Sequence, residues 1–433
     1  MKKSALILTA ISLVMSALLT ACGDKNESSP SEQSTASNSP AASSSEKVTL
    51  SIGSWRVEDV EGYKKIIAEF NKANPNITVE FKPTADQEYN TVLNTALMTG
   101  GGPDIVHMRP YAPGSELGDN GYLAAINDLP GLNTIPADLL ASSTGKDGKI
   151  YGVPIALNAT QIFYNKKIFA DLQLSEPQTW DELMKVADTL KSNKITPFAV
   201  GSKDGWILSL VHSAIAPGFY GGTAFEEQLL KGEKKFTSPE FVKSIQAMKD
   251  LAAYFPDNYV GLGMDDMRNL FVTEQAGMFI MGDWEIAVVE SMNPDLQLGM
   301  FPIPKPDGSK PTVTTWVDGS FGVNANSPHK EEALKFLEFA ASKSFGQLMA
   351  SELKRASAIP GVPGVDELTS KVADNAVNHS TPYNILIHFD RGNPTLKTAL
   401  QDALQAMYLN KLTPEKAAEE IQKNADSWFK PGQ

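Results

Sequence analysis

Alternation and helical spacing divide the chain beyond residue 47 into short elements. VTLSIGSW, residues 48–55, alternates apolar and polar positions as a strand does. VEDVEGYKKIIAEFNKANPN then places Val60, Tyr63, Ile66, Ile67 and Phe70 at helical spacing, and Asn-Pro-Asn ends the helix. ITVEFKP predicts a second strand, DQEYNTVLNTALMTGGG a helix closed by glycine, and PDIVHM a third strand. This β-α-β-α-β succession predicts an α/β fold with a parallel or mixed sheet flanked by helices. Ligands of such sheets sit beyond the carboxyl ends of the strands. Those ends are Ser54-Trp55-Arg56 and Met108-Arg109-Pro110.

Further on, YGVP and ALNATQIFYNKK predict a strand running into a short turn, and PQTWDELMKVADTLKSN a helix. Thr179 with Glu182 three residues on makes a capping box there. ITPFAVG predicts a strand, GWILSLVHSAI, SPEFVKSIQAMKDLAAYF and MDDMRNLFVTEQ helices, and AGMFIMG a strand that ends at Gly282-Asp283-Trp284. LQLGMFPIPKP and TVTTWVDGSFGVN pattern as strands, HKEEALKFLEFAAS as an amphipathic helix, and the tail from Val365 as helical.

The first 47 residues pattern differently. Two lysines, an uncharged apolar stretch and the sequence Leu19-Thr20-Ala21-Cys22-Gly23 form a secretory signal over residues 1–21 whose end resembles the lipobox of bacterial lipoproteins. In those proteins the cysteine is diacylated, so Cys22 is the expected lipidation site and membrane anchor. Residues 22–47 are rich in Ser, Pro, Ala and Asn and predict a flexible linker. A serine-rich leash of this kind suggests a Gram-positive cell surface, with the protein held on the outer face of the cell membrane. Cys22 is the only cysteine, which excludes an internal disulfide. The remaining residues, about 385, are more than one compact core accommodates and fit two lobes. A net charge of −13 argues against nucleic acid or anionic lipid as partners.

AEFNKANPNITVEF, GGGPDIVHM, YGVPIALNATQIFYNKKIF, TWDEL, AGMFIMGDW, FGVNANSPHKEEALKFLEFAAS and the helical tail occur in an order that resembles extracellular solute-binding lipoproteins of carbohydrate ABC importers. These are the maltose-binding-like and raffinose-binding-like receptors. The resemblance implies a two-lobed periplasmic-binding-protein-like fold with a hinge. It places the N-lobe at residues 48–157 and 317–361 and the C-lobe at 158–316 and 362–433. It also implies a monomer that binds a carbohydrate, closes on it, and docks on a membrane permease with a cytosolic ATPase.

A neutral sugar presents hydroxyls that need donors and acceptors, and C–H faces that pack on flat aromatic rings. Of six tryptophans, Trp55, Trp206, Trp284 and Trp316 lie at or near predicted strand ends or helix starts, whereas Trp180 and Trp428 read as packing. In the family, the Gly-x-Trp after the AGMFIMG strand places its aromatic in the cleft, which implies that role for Trp284. Asp283 either caps the next helix or binds a hydroxyl. Trp55 and Arg56 follow the first strand, where relatives hold polar ligand contacts. Met108 stands where maltose-binding relatives carry an aromatic, which argues against a flat stacking contact there. Arg109 beside it is a candidate donor or a surface ion pair. Asn158 falls where relatives have a ligand-binding acid near the hinge, and an amide there suits a neutral hydroxyl. Trp316 and Asp318 lie in a stretch similar to one in raffinose-binding relatives. Asp86 and Asp104 are weaker candidates, Asp104 reading as a structural acid, and His388, Asp390 and Arg391 stay undecided.

No nucleophile elbow appears, and Gly100-Gly101-Gly102 lacks the Lys-Ser/Thr of a phosphate loop. The five histidines show no metal-ligand spacing, and no cofactor is expected. Binding without catalysis is therefore the expectation. A receptor for a non-sugar polar solute, or a surface protein that holds or degrades polysaccharide, stays open as an alternative.

Overall fold

Two β-sheets, each with its own apolar core, organise the computed structural model, which describes residues 47–431. Cys22 and its leader lie outside the described residues. The strands are β1 (Val48–Ser54), β2 (Ile77–Pro83), β3 (Ile105–Met108), β4 (Val153–Pro154), β5 (Ala156–Asn165) and β6 (Thr196–Phe198). They continue as β7 (Ala276–Gly282), β8 (Leu298–Phe301), β9 (Val313–Val317), β10 (Ser320–Val323), β11 (Ala356–Ser357) and β12 (Ser380–Pro382).

The first sheet has the order β2-β1-β3-β10-β4, with β1 parallel to β2 and β3 and with β10 antiparallel to β3 and β4. The helix Val60–Ala73 connects β1 to β2 and buries Tyr63, Ile66, Ile67 and Phe70, the positions its spacing marks. The second sheet runs β12-β9-β5-β7-β6, with β8 and β11 also pairing β5. β5 is buried along almost its whole length and is antiparallel to β7, β8 and β9. The local helix signals act as the chain's pattern predicts. The Thr179 side chain accepts from Glu182 N and the Glu182 carboxylate answers at the Thr179 N–H, a complete capping box on the helix Trp180–Ser192.

Three differences from the sequence pattern matter for the site. TVTTWVDGSFGVN is two strands, β9 in the second sheet and β10 in the first, because the chain crosses between sheets at Asp318-Gly319. LQLGMFPIPKP holds only the four residues of β8. The expected turn after ALNATQIFYN is a helix, Lys166–Asp171, capped by the Asn165 side chain.

The chain passes between the sheets three times. The passes are Ile155 between β4 and β5, Asp318-Gly319 between β9 and β10, and Arg355 just before β11 joins β5. A two-lobed α/β fold with a hinge follows from this double-sheet, three-pass arrangement, and Asn158, Asp318 and Arg355 stand at the passes.

Candidate functional site

The ends of β1, β3 and β7 and the crossing between β9 and β10 carry the polar and aromatic side chains of the site. At the end of β1, Trp55 is only 5 % exposed. Its indole stacks on His107 of β3 with ring centres 3.8 Å apart, and the Arg109 guanidinium lies 4.1 Å from the same ring centre. Two groups this close cannot share one face, so the ring is enclosed on both sides. Arg109 is held there by Asp86 Oδ1 at 2.7 Å and by Asn90. Met108, next to it, is fully buried in the small core formed with Trp55, Tyr89 and Tyr151. Burial holds the His107 imidazole neutral by pushing its pKa well below the usual value.

Arg56 turns the other way, into a buried ionic network. Its guanidinium pairs with Asp318 Oδ1 and, at 3.2 Å, with Glu58. Asn158 Nδ2 donates to that same Asp318 oxygen at 2.7 Å, and Arg355 Nη1 donates to Oδ2 at 2.9 Å. Arg355 Nη2 reaches Asp59 Oδ2 at 3.1 Å. Burial alone would oppose ionisation of Asp318, but the charges of Arg56 and Arg355 outweigh it and hold the carboxyl well below the ordinary range. Asp59 is paired with Arg355 alone, and burial, helped by the nearby Glu58 carboxylate, prevails over Arg355 and the more weakly acting Arg56, so its pKa rises to about 6. Asp318 is therefore committed to the network at both oxygens, and Gly319 follows because a Cβ there would lie 2.7 Å from both His107 Nε2 and Trp55.

Across from Arg56, β7 ends at Gly282 and the chain turns through Asp283 and Trp284. Gly282 is required by close approach: a Cβ would sit 1.9 Å from Trp284 Cζ3, so the indole folds flat over the glycine. Trp284 meets Trp316 edge-on with centres 6.0 Å apart, and Trp316 meets Tyr383 in the same way at 5.2 Å. The Arg56 guanidinium lies 5.1 Å from the Trp284 ring centre. Asn158 pairs directly with Trp316 across β5 and β9, which puts an amide beside this aromatic wall.

Asp283 does not cap the helix Glu285–Met292 as its position suggests. Its Oδ1 accepts from the Ala159 N–H at 2.9 Å, while its own N–H donates to Ala159 O at 3.1 Å. The second oxygen, Oδ2, is buried without a hydrogen-bond partner among the described residues, as are Asn158 Oδ1 and Arg56 Nε. Burial raises the Asp283 carboxyl to about 6, with Arg355 and the Ala159 N–H offsetting only part of that cost. Unpaired buried polar atoms beside an aromatic wall are what a small polar ligand would satisfy.

The remaining candidates separate. Trp206, half-buried at the start of the helix Gly205–Ile215, packs against the second core. Asp204 before it caps Met264 N and accepts from Gln87 Nε2 at 3.1 Å, a contact between elements of the two sheets. Asp104 binds Ser51 and Ser327 as a structural acid. His388 is exposed and lies 2.6 Å from Glu226. Sequence reasoning missed Arg355, Asp59 and Tyr383, and Tyr111, whose hydroxyl accepts from the Val317 N–H and whose φ is +61°. Nothing in ELKRASAIP marks Arg355 as buried. No group of His, Cys, Asp and Glu that could hold a metal occurs among the described residues.

The sequence model of the bacterial extracellular solute-binding protein family matches residues 54–346. The multiple sugar-binding protein of Streptococcus mutans is 29 % identical over 332 residues, 75 % of either chain. The galactooligosaccharide-binding protein of Bacillus subtilis is 24 % identical over 95 % of this chain and 94 % of its own. Among solved structures, a receptor in complex with raffinose superposes with a TM-score of 0.76 at 21 % identity, over 88 % of this chain and 99 % of the other. A chitin oligosaccharide binding protein does so at 0.75 and 24 %, over 88 % and 98 %. With a family match over most of its length and the same fold in both structures, the chain belongs to the bacterial extracellular solute-binding proteins.

Proposed function

We propose that this protein is the receptor of a carbohydrate ABC importer and that its ligand is a neutral oligosaccharide. The observation that carries the reading is the edge-to-face pair Trp284–Trp316 beside the unpartnered oxygens of Asn158 and Asp283. An aromatic wall takes the C–H face of a sugar ring, and the free oxygens accept its hydroxyls. The buried cations Arg56 and Arg355 are matched by Asp318 and Asp59, so the site carries little excess charge for an ionic solute. The sugar-binding relatives support the same reading.

In this reading the ligand-binding residues are Arg56, Asn158, Asp283, Trp284 and Trp316, with Arg109 on the facing side backed by the enclosed Trp55 and the buried Met108, Trp206 at the rim and Asp318 orienting Arg56 and Asn158. The lobes are residues 48–157 with 317–361 and 158–316 with 362–433; sheet membership supports that division apart from β11 (Ala356–Ser357), which pairs with β5 of the second sheet, and the first two residues of β5. Ligand closes the lobes by rigid-body rotation about the three passes, because it binds the closed form better. The loaded monomer then docks on a permease with a cytosolic ATPase. It is held on the outer face of a Gram-positive cell membrane through a lipid on Cys22 and the linker 22–47. No chemical step is assigned to the site.

Thermal unfolding in the presence of raffinose, stachyose, galactooligosaccharides and chitin oligosaccharides tests this. A ligand of the folded state raises the midpoint, and a hundredfold excess over its Kd adds about 2.7 kcal/mol. A midpoint unmoved by every sugar contradicts the proposal.

A further inference from the structure

Asp283 carries more than a contact. Its side chain is fully buried, and Oδ1 accepts from the Ala159 N–H at 2.9 Å, so the carboxylate cannot rotate to share its other oxygen without breaking that bond. Oδ2 is left without a partner, next to Trp284 and within the field of the hinge network. The charged groups around it come from each element packed there. Arg355 on the third pass attracts its negative charge, and Asp318 on the second pass repels it. Arg56 at the end of β1 and Arg355 neutralise Asp318. Asp59 compensates Arg355 from behind, and Glu285, next but one in sequence, is occupied by Arg268 at 2.7 Å through both oxygens. No cation makes a hydrogen bond or ion pair with Asp283 among the described residues; Arg355, whose Nε is also buried without a partner, acts on it through its charge alone.

We propose that Asp283 Oδ2 is the specificity-determining acceptor of the site, that it takes the hydrogen of a ligand hydroxyl, and that forming this bond expels a proton from the carboxyl group. The inference rests on the sugar-binding reading and deepens it. The physical chain is short. A buried carboxyl with one free oxygen holds its proton more tightly than an exposed one, and in the ligand-free protein its pKa is about 6. A hydroxyl donating to the free oxygen stabilises the ionised form more than the protonated one. Binding therefore lowers that pKa, and the proton leaves to bulk water. Linkage then fixes the sign: affinity is highest above pH 6 and falls as the carboxyl must be deprotonated to bind. The acceptor also sets selectivity. A sugar lacking that one hydroxyl, or one that presents a carboxylate there, leaves Oδ2 unpaired or repelled and is rejected.

Titration calorimetry with the tightest-binding of raffinose, stachyose, galactooligosaccharide and chitin oligosaccharide, at pH 5 to 8, tests the inference. The wild-type protein is expected to bind about tenfold more weakly at pH 5 than at pH 8. Near pH 6 it should release protons, seen as a heat that changes with the ionisation heat of the buffer. Asp283→Asn, isosteric and hydrogen-bonding, keeps the Ala159 contact through its amide oxygen, binds more weakly at pH 8, and shows neither effect. Asp59→Asn removes the other carboxyl that titrates near pH 6 and should leave both effects in place. A wild-type affinity flat across this range, or an Asp283→Asn variant that keeps the dependence, overturns the proposal. Absence of binding by every sugar at every pH overturns the sugar reading first, and this inference with it.

Discussion

Arg355 Nη1 donates to Asp318 Oδ2 at 2.9 Å, so the third chain pass between the sheets is tied to the second by a buried ion pair. Asn158 Nδ2, on β5 just beyond the first pass, donates to the other oxygen of the same carboxylate at 2.7 Å. All three passes thus converge on Asp318. Bending any one pass alone would separate buried charges, a cost that couples the three passes.

Truncating Arg355 breaks this arrangement and leaves Asp59 and Asp318 short of a cation. Arg355→Met is expected to destabilise the protein by about 3–5 kcal/mol, the usual cost of removing one partner of a buried pair. Urea unfolding at pH 7 measures it. A loss below about 1 kcal/mol would mean that the network contributes little to stability.

Asp283→Asn should have the opposite sign. The wild-type carboxyl is raised from 3.8 to about 6, so the folded state binds more protons than the unfolded state between those values. Its contribution to stability therefore declines as pH rises through that window, and by pH 7 the buried charge costs about 3 kcal/mol. The amide removes that cost. The ligand-free variant is expected to be more stable than wild type by about 1–3 kcal/mol at pH 7, with the difference fading below pH 4. Unfolding midpoints at pH 4 and pH 7 give both values.

Gly282→Ala tests how Trp284 is placed. The new Cβ would overlap the indole at 1.9 Å from Cζ3, so the ring must leave its seat. Sugar affinity should fall at least about tenfold, with a stability loss of about 1–3 kcal/mol from overpacking. Calorimetry and thermal melts on one preparation separate the two effects. Unchanged affinity would show that the position of the Trp284 ring does not matter.

Trp316→Ala and Trp180→Ala form a matched pair. Trp316, buried in the second core, stands between Trp284 and Tyr383, whereas Trp180 is partly buried against that core and meets Phe219 edge-on. The first change should abolish the sugar-induced rise in melting temperature. The second should lower the melting temperature of the free protein and leave the sugar-induced rise in place.

What the sequence disclosed depended on how local the determinant was. Thr179 and Glu182 form a cap within four residues, so their pattern alone sufficed. The first helix was equally legible, since Tyr63, Ile66, Ile67 and Phe70 face a core whatever that core contains. Trp284 was legible as a functional candidate because a glycine, an acid and a tryptophan end an apolar strand. Its neighbour was not: Asp283 looks like a helix cap, and only the pairing of β5 with β7 brings Ala159 N–H to its side chain. Trp55 looked like an open stacking face, yet His107 and Arg109, more than 50 residues away, enclose it. Arg355 had no local signal, because its ion-pair partners, Asp59 and Asp318, come from two distant segments.

The most direct test of the account is a calorimetric titration of the wild-type protein and Trp284→Ala with the same sugar panel at pH 8. The account predicts that one linkage class binds the wild type and that Trp284→Ala binds it at least about fivefold more weakly, since a flat aromatic contact in a dry site is worth about 1 kcal/mol or more. Binding that is unchanged by the loss of Trp284, or no binding of any sugar to the wild type, would contradict it.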